Sequence, residues 1–289
     1  MGRRRACVAE RRPRLTKRRE ILSRISSLGE IEEILRAMKS LALVETRRIS
    51  TFIEAQRSAV QVIETALADF TAFYRPDVSS VVPQRDVLCV IGAERGFCGD
   101  FNARLVSAIE ATVNGSSLPL EMIMIGNRLA QTWGERTPAP RVIEGASVAD
   151  EVPTVLNRLL DDFRSLLDDG DKTQSVGFTV LLYRERSIES RRLLPVPELP
   201  QPPRLQAYPP YLTLPPQQLL LALADQYLYA LLHGMYYDSL LLENQKRLEH
   251  MDRAINKVEE KLEVLTRRQN QMRQEEITED IEVILLAIE

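Results

Sequence analysis

The stretch LEHMDRAINKVEEKLEVL, residues 248–265, decides the fold. Within it Leu248, Met251, Ile255, Val258, Leu262 and Leu265 recur at spacings of 3, 4, 3, 4 and 3. That is a heptad seam, and it predicts a helix paired with another in a left-handed coiled coil. Downstream the seam fails. Gln269 takes the next core position, inside the polar run TRRQNQMRQEE (266–276). An apolar stripe then resumes one position out of phase at Ile277, Ile281, Ile284 and Ile288. A polar break followed by a shifted stripe predicts that the helix changes its neighbour there.

Working upstream, proline marks where this helix begins. Nine of the 16 prolines lie between Pro195 and Pro216, and none lies in the 73 residues from Gln217 to Glu289. A second proline-free stretch of 62 residues runs from Arg14 to Arg75. The two stretches together hold only Gly29 and Gly234. Proline costs about 3 kcal/mol and glycine about 1 kcal/mol in a helix interior, so both ends can be long helices. At about 1.5 Å per residue the C-terminal one would span roughly 110 Å, far beyond a small domain. The N-terminal segment repeats Ile21, Ile25, Leu28, Ile31, Leu35, Met38 and Leu41 at spacings of three and four. Residues 1–75 carry 16 basic and nine acidic groups, and residues 217–289 carry eight basic and 14 acidic ones. Opposite charge suits two helices lying side by side, although exposed pairs are individually weak.

Between the ends the pattern changes. VLCVIGA (87–93) is apolar and β-prone, and helix- and strand-like segments alternate after it: helix 100–113, strand 122–126, helix 127–136, a short strand 141–144, helix 153–169 and strand 176–183. Alternation of this kind implies βαβ units and a mostly parallel sheet. The fold class is therefore α/β: a long antiparallel coiled coil of N- and C-terminal helices with an inserted Rossmann-like domain. The expected divisions are a disordered basic arm (1–13), a first coiled-coil helix (14–75), the α/β domain (76–194), a Pro-rich linker (195–216) and the second coiled-coil helix (217–289).

Several function classes fall away. Cys7, Cys89 and Cys98 form no CxxC, and with only His233 and His250 beside them they make no zinc ligand set. No apolar run reaches about 18 residues; the nearest candidate, Leu219–Leu242, is broken by Asp225, Gln226, His233 and Asp238 and reads as a helix buried on more than one side. The Arg-rich start has no apolar segment after it and is not a secretory signal. The turn GAERGFCGDFN (92–102) invites a phosphate, but its glycines are spaced G-x3-G-x2-G and no Gly-Lys-Ser/Thr follows. Asp100 near the next helix start would repel an anion and suits an N-cap. The turn reads as structural, and Glu94 with Arg95 as a surface or interface pair. No GxSxG, no HExxH and no useful Cys/His spacing is present. On periodicity alone the helix pair is a static spacer.

Four segments, in order, resemble the gamma subunit of F-type ATP synthases. RISSLGEIEEILRAMKSLALVETRR (24–48) is similar to that family's start through Ile25, Ser27, Ile34, Ala37, Met38, Ala42 and Arg47. The 92–102 turn resembles its D-R-G-L-C-G-x-x-N through Arg95, Gly96, Cys98, Gly99 and Asn102. ENQKRLEHMDRA (243–254) resembles its E-x-x-x-R-M-x-x-M-x-x-A helix through Glu243, Arg247, Met251 and Ala254. NQMRQEEITEDIEVI (270–284) resembles N-x-x-R-Q-x-x-I-T-x-E-[LI] through Asn270, Arg273, Gln274, Ile277 and Thr278. Glu33 and Glu45 stand where the family has lysines, Glu94 where it has Asp, and Asp280 where it has Glu. These departures, the basic start and the Pro-rich linker suggest a divergent branch resembling the alternative, sodium-linked bacterial enzymes.

The resemblance implies a non-catalytic rotor shaft in the central stalk of an ATP synthase, without cofactor, catalytic residue or metal of its own. Its partners would be the alpha and beta subunits of the hexamer, the epsilon subunit and the membrane c-ring, and not nucleic acid. It would lie peripherally on the cytoplasmic side of the bacterial inner membrane. The contact residues it implies are Arg273, Gln274, Ile277, Thr278, Ile281, Ile284, Leu285 and Ile288 on the last helix, and Arg95 in the turn; Met38 and Met251 read as helix-packing residues. The competing readings are a static coiled-coil scaffold, a nucleic-acid binder using residues 1–19 with their nine basic and one acidic groups, and a nucleotide-dependent enzyme using the 92–102 turn.

Overall fold

A computed structural model describes residues 2–74, 82–169, 175–185, 187–195, 208–209 and 211–288, with side chains from Arg18 onward except at 169, 287 and 288. Most of the Pro-rich linker thus lies outside the described residues. The backbone divides into two units, residues 1–41 with 249–289, and residues 42–248. Both boundaries fall inside the long helices rather than at the edges of the expected α/β domain.

Helix α1 runs Gly2–Phe73 and helix α5 runs Pro216–Ile288. Pro216 opens α5, where its missing N–H costs nothing and its fixed φ suits the first turn. Helix α1 begins at Gly2, within the stretch expected to be a basic arm. Residues 2–13 consist mostly of Arg, Ala and Glu, which are strong helix formers.

In the first unit the two helices run antiparallel. Lys39 pairs with Asp252 at 2.5 Å, Arg36 with Glu259 at 2.5 Å and Arg18 with Glu276 at 2.8 Å. Leu35, Met251 and Ile255 are buried together, with Met38, Ala254 and Val258 packed against them. Met38 and Met251 are therefore packing residues. The covered line on α5 does not stop at the polar run. Leu262, Leu265, Gln269, Met272, Glu276 and Glu279 are all half-buried, at the same 3-4-3-4-3 spacing as the seam above them. Ile277, Ile281 and Ile284 lie off that line and are exposed. So α5 keeps α1 as its neighbour at least as far as Glu276, and the shifted stripe is a second face, not a change of partner.

In the second unit a five-stranded sheet has the order β3-β2-β1-β4-β5. Its strands are β1 (Arg85–Ile91), β2 (Leu120–Ile125), β3 (Arg141–Ile143), β4 (Val176–Arg184) and β5 (Ser187–Leu194). The pairs β1/β2, β1/β4 and β2/β3 are parallel, and β4/β5 is antiparallel. Side chains alternate across a strand. Val87, Cys89, Ile91, Ile123 and Val180 face one core, with helix α4 (Val152–Asp169) and the parts of α1 and α5 that belong to this unit. Leu88, Val90, Met122, Met124 and Leu181 face a second core, with helices α2 (Phe101–Gly115) and α3 (Asn127–Trp133). Burial on both faces is why β1 reads as a continuous apolar run.

The cores also explain the unit boundaries. Ile49, Ile53 and Leu67 of α1 and Tyr227, Leu231, Met235 and Leu240 of α5 belong to the first core, while Leu242 reaches the second. The segment 219–242 is thus buried on more than one side, as its mixed polarity predicts. Among the described residues no helix is long and apolar enough to cross a membrane.

Candidate functional site

In open α/β sheets ligands bind outside the carboxyl ends of the strands, at the point where the strand order reverses. Here that point is the end of β1, between β2 and β4. Helix α5 lies across it. Ser239 Oγ donates to the Ile91 carbonyl at 3.4 Å, and Tyr236 Oη accepts the Ala146 N–H at 2.7 Å. Burial holds the Tyr236 hydroxyl well above the ordinary tyrosine range, so it stays protonated.

The 92–102 turn is filled from within. Glu94 accepts the backbone N–H of Asn127 at 2.9 Å and of Gly145 at 2.7 Å, and the Asn127 side-chain amide at 2.7 Å. The carboxylate therefore sits where an anionic ligand would take the same N–H groups. Buried Asn102 accepts the Ala93 N–H at 3.1 Å. Asp100 occupies the N-cap position of α2 but makes no capping bond; it pairs with Arg104 at 2.6 Å instead. Glu94 is thus an internal brace rather than a surface charge, while its neighbour Arg95 is exposed.

Beneath the turn lies a buried ion pair. Glu243 is 4% exposed and Arg247 9%. The Arg247 guanidinium pairs with Glu243, donates to Asn244 Oδ1 at 2.9 Å and reaches the Gly96 carbonyl at 3.4 Å. Burial pushes the Glu243 carboxyl up to about 7, against the pull of Arg247. Burial, with Glu243 adding to it, raises the Cys98 thiol to about 11, which keeps it unreactive. The i, i+4 Glu–Arg spacing inside an apolar helix segment is the sequence signal for this pair.

A pH dependence follows. Because its native pKa is raised from 4.5 to about 7, Glu243 holds a proton in the folded state that the unfolded chain has released. Its contribution to stability is present below pH 4.5 and declines as pH rises to about 7. Urea midpoints measured at pH 5 and pH 7.5 should show a smaller acid-side advantage in Glu243→Gln than in the parent chain. Equal slopes in the two proteins would remove this role.

The resemblance-derived contact residues fall into two places. Arg273, Gln274, Ile277, Thr278, Ile281, Ile284 and Leu285 are all exposed on the last turns of α5. The side chain of Ile288 lies outside the described residues. Thr278 Oγ1 donates back to the Gln274 backbone carbonyl at 2.9 Å. Arg95 belongs to the other unit. Among the described residues no group of three or more His, Cys, Asp or Glu could hold a metal ion. Sequence reasoning missed the brace at Glu94 and the α5 contacts through Tyr236 and Ser239.

Comparison with known proteins fits this geometry. The chain is 25% identical to the ATP synthase gamma chain of Saccharopolyspora erythraea, over 94% of this chain and 96% of that one. It is 23% identical to the ATP synthase gamma chain of Ruminococcus albus, over 91% and 94%. Its fold matches a chain in the structure of the Euglena gracilis mitochondrial ATP synthase (OSCP/F1/c-ring, rotational state 3) with a TM-score of 0.57, 11% identity and 94% coverage of each chain. The family described as ATP synthase matches residues 17–289. Spanned almost end to end by that family, and by gamma chains within it, this chain belongs to the gamma subunits of the F-type ATP synthases.

Proposed function

We propose that this chain is the rotating shaft of its ATP synthase, turning inside a hexamer of alternating alpha and beta subunits. The observation that carries the reading is the end of α5. Ile277, Ile281, Ile284 and Leu285 are each at least half exposed, over more than two helical turns. A continuous exposed apolar face marks an interaction surface. Apolar contact is non-directional, so such a tip can slide in a hydrophobic bearing without locking. Arg273 and Gln274, just before it, can make directional, charge-assisted hydrogen bonds to a beta-subunit loop and act as a catch. A shaft with unlike faces favours a different state in each beta subunit, a population shift driven by differential contact.

In this reading ATP is made and hydrolysed on the hexamer, and the gamma chain is non-catalytic. The filled crevice at the end of β1 supports that division of labour. The α/β unit would meet the epsilon subunit and the membrane c-ring, with Arg95 as one contact, and the chain would lie peripherally on the cytoplasmic side of the bacterial membrane.

The test is reconstitution. The tagged chain should co-purify with alpha and beta subunits. Arg273→Ala combined with Gln274→Ala should lower ATP-driven rotation or coupled ion pumping several-fold, while the isolated chain keeps its helix content. Failure to co-purify would point to a static scaffold, and full pumping by the double variant would remove the catch.

A further inference from the structure

We infer that Arg247 is a proton-sensitive clasp on the Gly96–Phe97 peptide: it holds this peptide while Glu243 is ionised and releases it when Glu243 takes up a proton. The starting observation is strain at one place in the 92–102 turn. Phe97 has φ at +64°, a left-handed conformation that a bulky side chain rarely adopts. Its side chain is 51% exposed, so burial holds it only in part. Strain of this kind persists where the surroundings fix it. Here they act on the peptide just before: Arg247 Nε donates to the Gly96 carbonyl at 3.4 Å. That carbonyl belongs to the Gly96–Phe97 peptide, and φ of Phe97 is the rotation about the next bond along the chain. A hydrogen bond to the one therefore restrains the other.

The clasp is itself held by charge. Arg247 pairs with Glu243 one turn back on α5 and donates to Asn244 Oδ1 at 2.9 Å. With Glu243 ionised, these two contacts fix the guanidinium in the orientation that also reaches Gly96. The bond to Gly96 is the longest of the three and is lost first when the guanidinium turns. With Glu243 neutral, Arg247 keeps its charge and is drawn to the carboxylate that remains. That is Glu94, which lies close enough to act on Glu243 electrostatically. Carboxylate oxygens accept more than one bond each, so Glu94 can take Arg247 and keep Asn127 and Gly145. The turn toward Glu94 takes Arg247 off the Gly96 carbonyl, and Phe97 relaxes.

The groups that face Glu243 set the range. They are Arg247 and Tyr236 on α5 and Glu94, Arg95 and Cys98 on the turn, with Arg128 of α3 acting on Cys98. On α2, Asp100 is paired with Arg104; earlier on α5, Asp238 lies between Arg184 of β4 and Arg57 of α1. Burial keeps Tyr236 and Cys98 protonated through neutrality, whereas it brings Glu243 to about 7. The clasp is therefore closed on the alkaline side of that value and open on the acid side. Because the same turn carries the exposed Arg95, the surface it presents changes with the clasp. The inference does not rest on the shaft reading.

The test uses the full chain with 15N-labelled phenylalanine, which marks seven residues. The Phe97 amide signal, identified by its loss in Phe97→Leu, should move with a midpoint near pH 7. Its heteronuclear NOE should fall on the acid side, as the turn gains fast motion. Hydrogen exchange of residues 92–102, corrected for the intrinsic effect of pH, should be about ten-fold faster at pH 6 than at pH 8. Glu243→Gln should hold the Phe97 signal at its acid position at every pH. If that variant does not fold, the two measurements on the parent chain decide by themselves. A Phe97 signal and an exchange rate that both ignore pH would overturn the inference. So would a titration that survives unchanged in Glu243→Gln, which would assign it to another group.

Discussion

Replacing Arg247 by alanine should destabilise the α/β unit by about 3–5 kcal/mol above pH 8, the usual effect of stranding one member of a buried ion pair. Glu243, 4% exposed, would lose its cation, and the Gly96 and Asn244 oxygens would lose their shared donor. The loss should shrink toward pH 5. Glu243 is already inclined to hold its proton, and a neutral carboxyl needs no counter-charge. Denaturant titrations of Arg247→Ala and of Arg247→Ala with Glu243→Gln at both pH values check this. The double variant should recover much of the loss at pH 8. A single-variant penalty that is flat with pH would mean that Arg247 acts through packing alone.

Gly126→Ala should be comparably damaging for a different reason. Gly126 links β2 to α3 with φ at +113°, a conformation that a residue with a Cβ rarely adopts. A Cβ there would lie 2.7 Å from the Ala93 carbonyl oxygen and 2.9 Å from that of Gly92. Both are backbone atoms at the end of β1 and have no rotamer to escape by. Overpacking costs about 1–3 kcal/mol, and the backbone strain about 1–3 kcal/mol more. Thermal unfolding of the variant should show a lowered midpoint, and hydrogen exchange should show the loss of protection beginning in the turn that Glu94 braces. A variant as stable as the parent would contradict the close approach seen here.

What could be read from residues alone was what residues declare locally. The heptad run 248–265 announced a helix pair because each turn repeats the same demand for a partner. The apolar run of β1 reads as a strand of a mostly parallel sheet, and it is continuous because both of its faces are buried. Strand β5 stayed hidden. SIESRRLL carries charges at its solvent positions, as an edge strand must to discourage further pairing, and so it resembles a loop. From sequence Glu94 reads as a surface charge because its partners, Asn127 at the start of α3 and Gly145 in a loop, lie 33 and 51 residues further on. The placement of α5 against the sheet was equally invisible. Tyr236 and Ala146 are 90 residues apart, and Ser239 and Ile91 are 148 apart. Long-range contacts of this kind leave no period in the sequence. The exposed residues at the end of α5 came from resemblance, since periodicity gives the face they share but not what the face meets.

The brace at Glu94 has one more consequence. A binding site satisfied by a group on the same chain is occupied at every concentration of everything else, because its occupant cannot diffuse away. The turn between β1 and α2 is therefore held in place by its own chain. For a part that must carry load between neighbours, a turn clamped from within costs no diffusible partner and cannot be loosened by dilution.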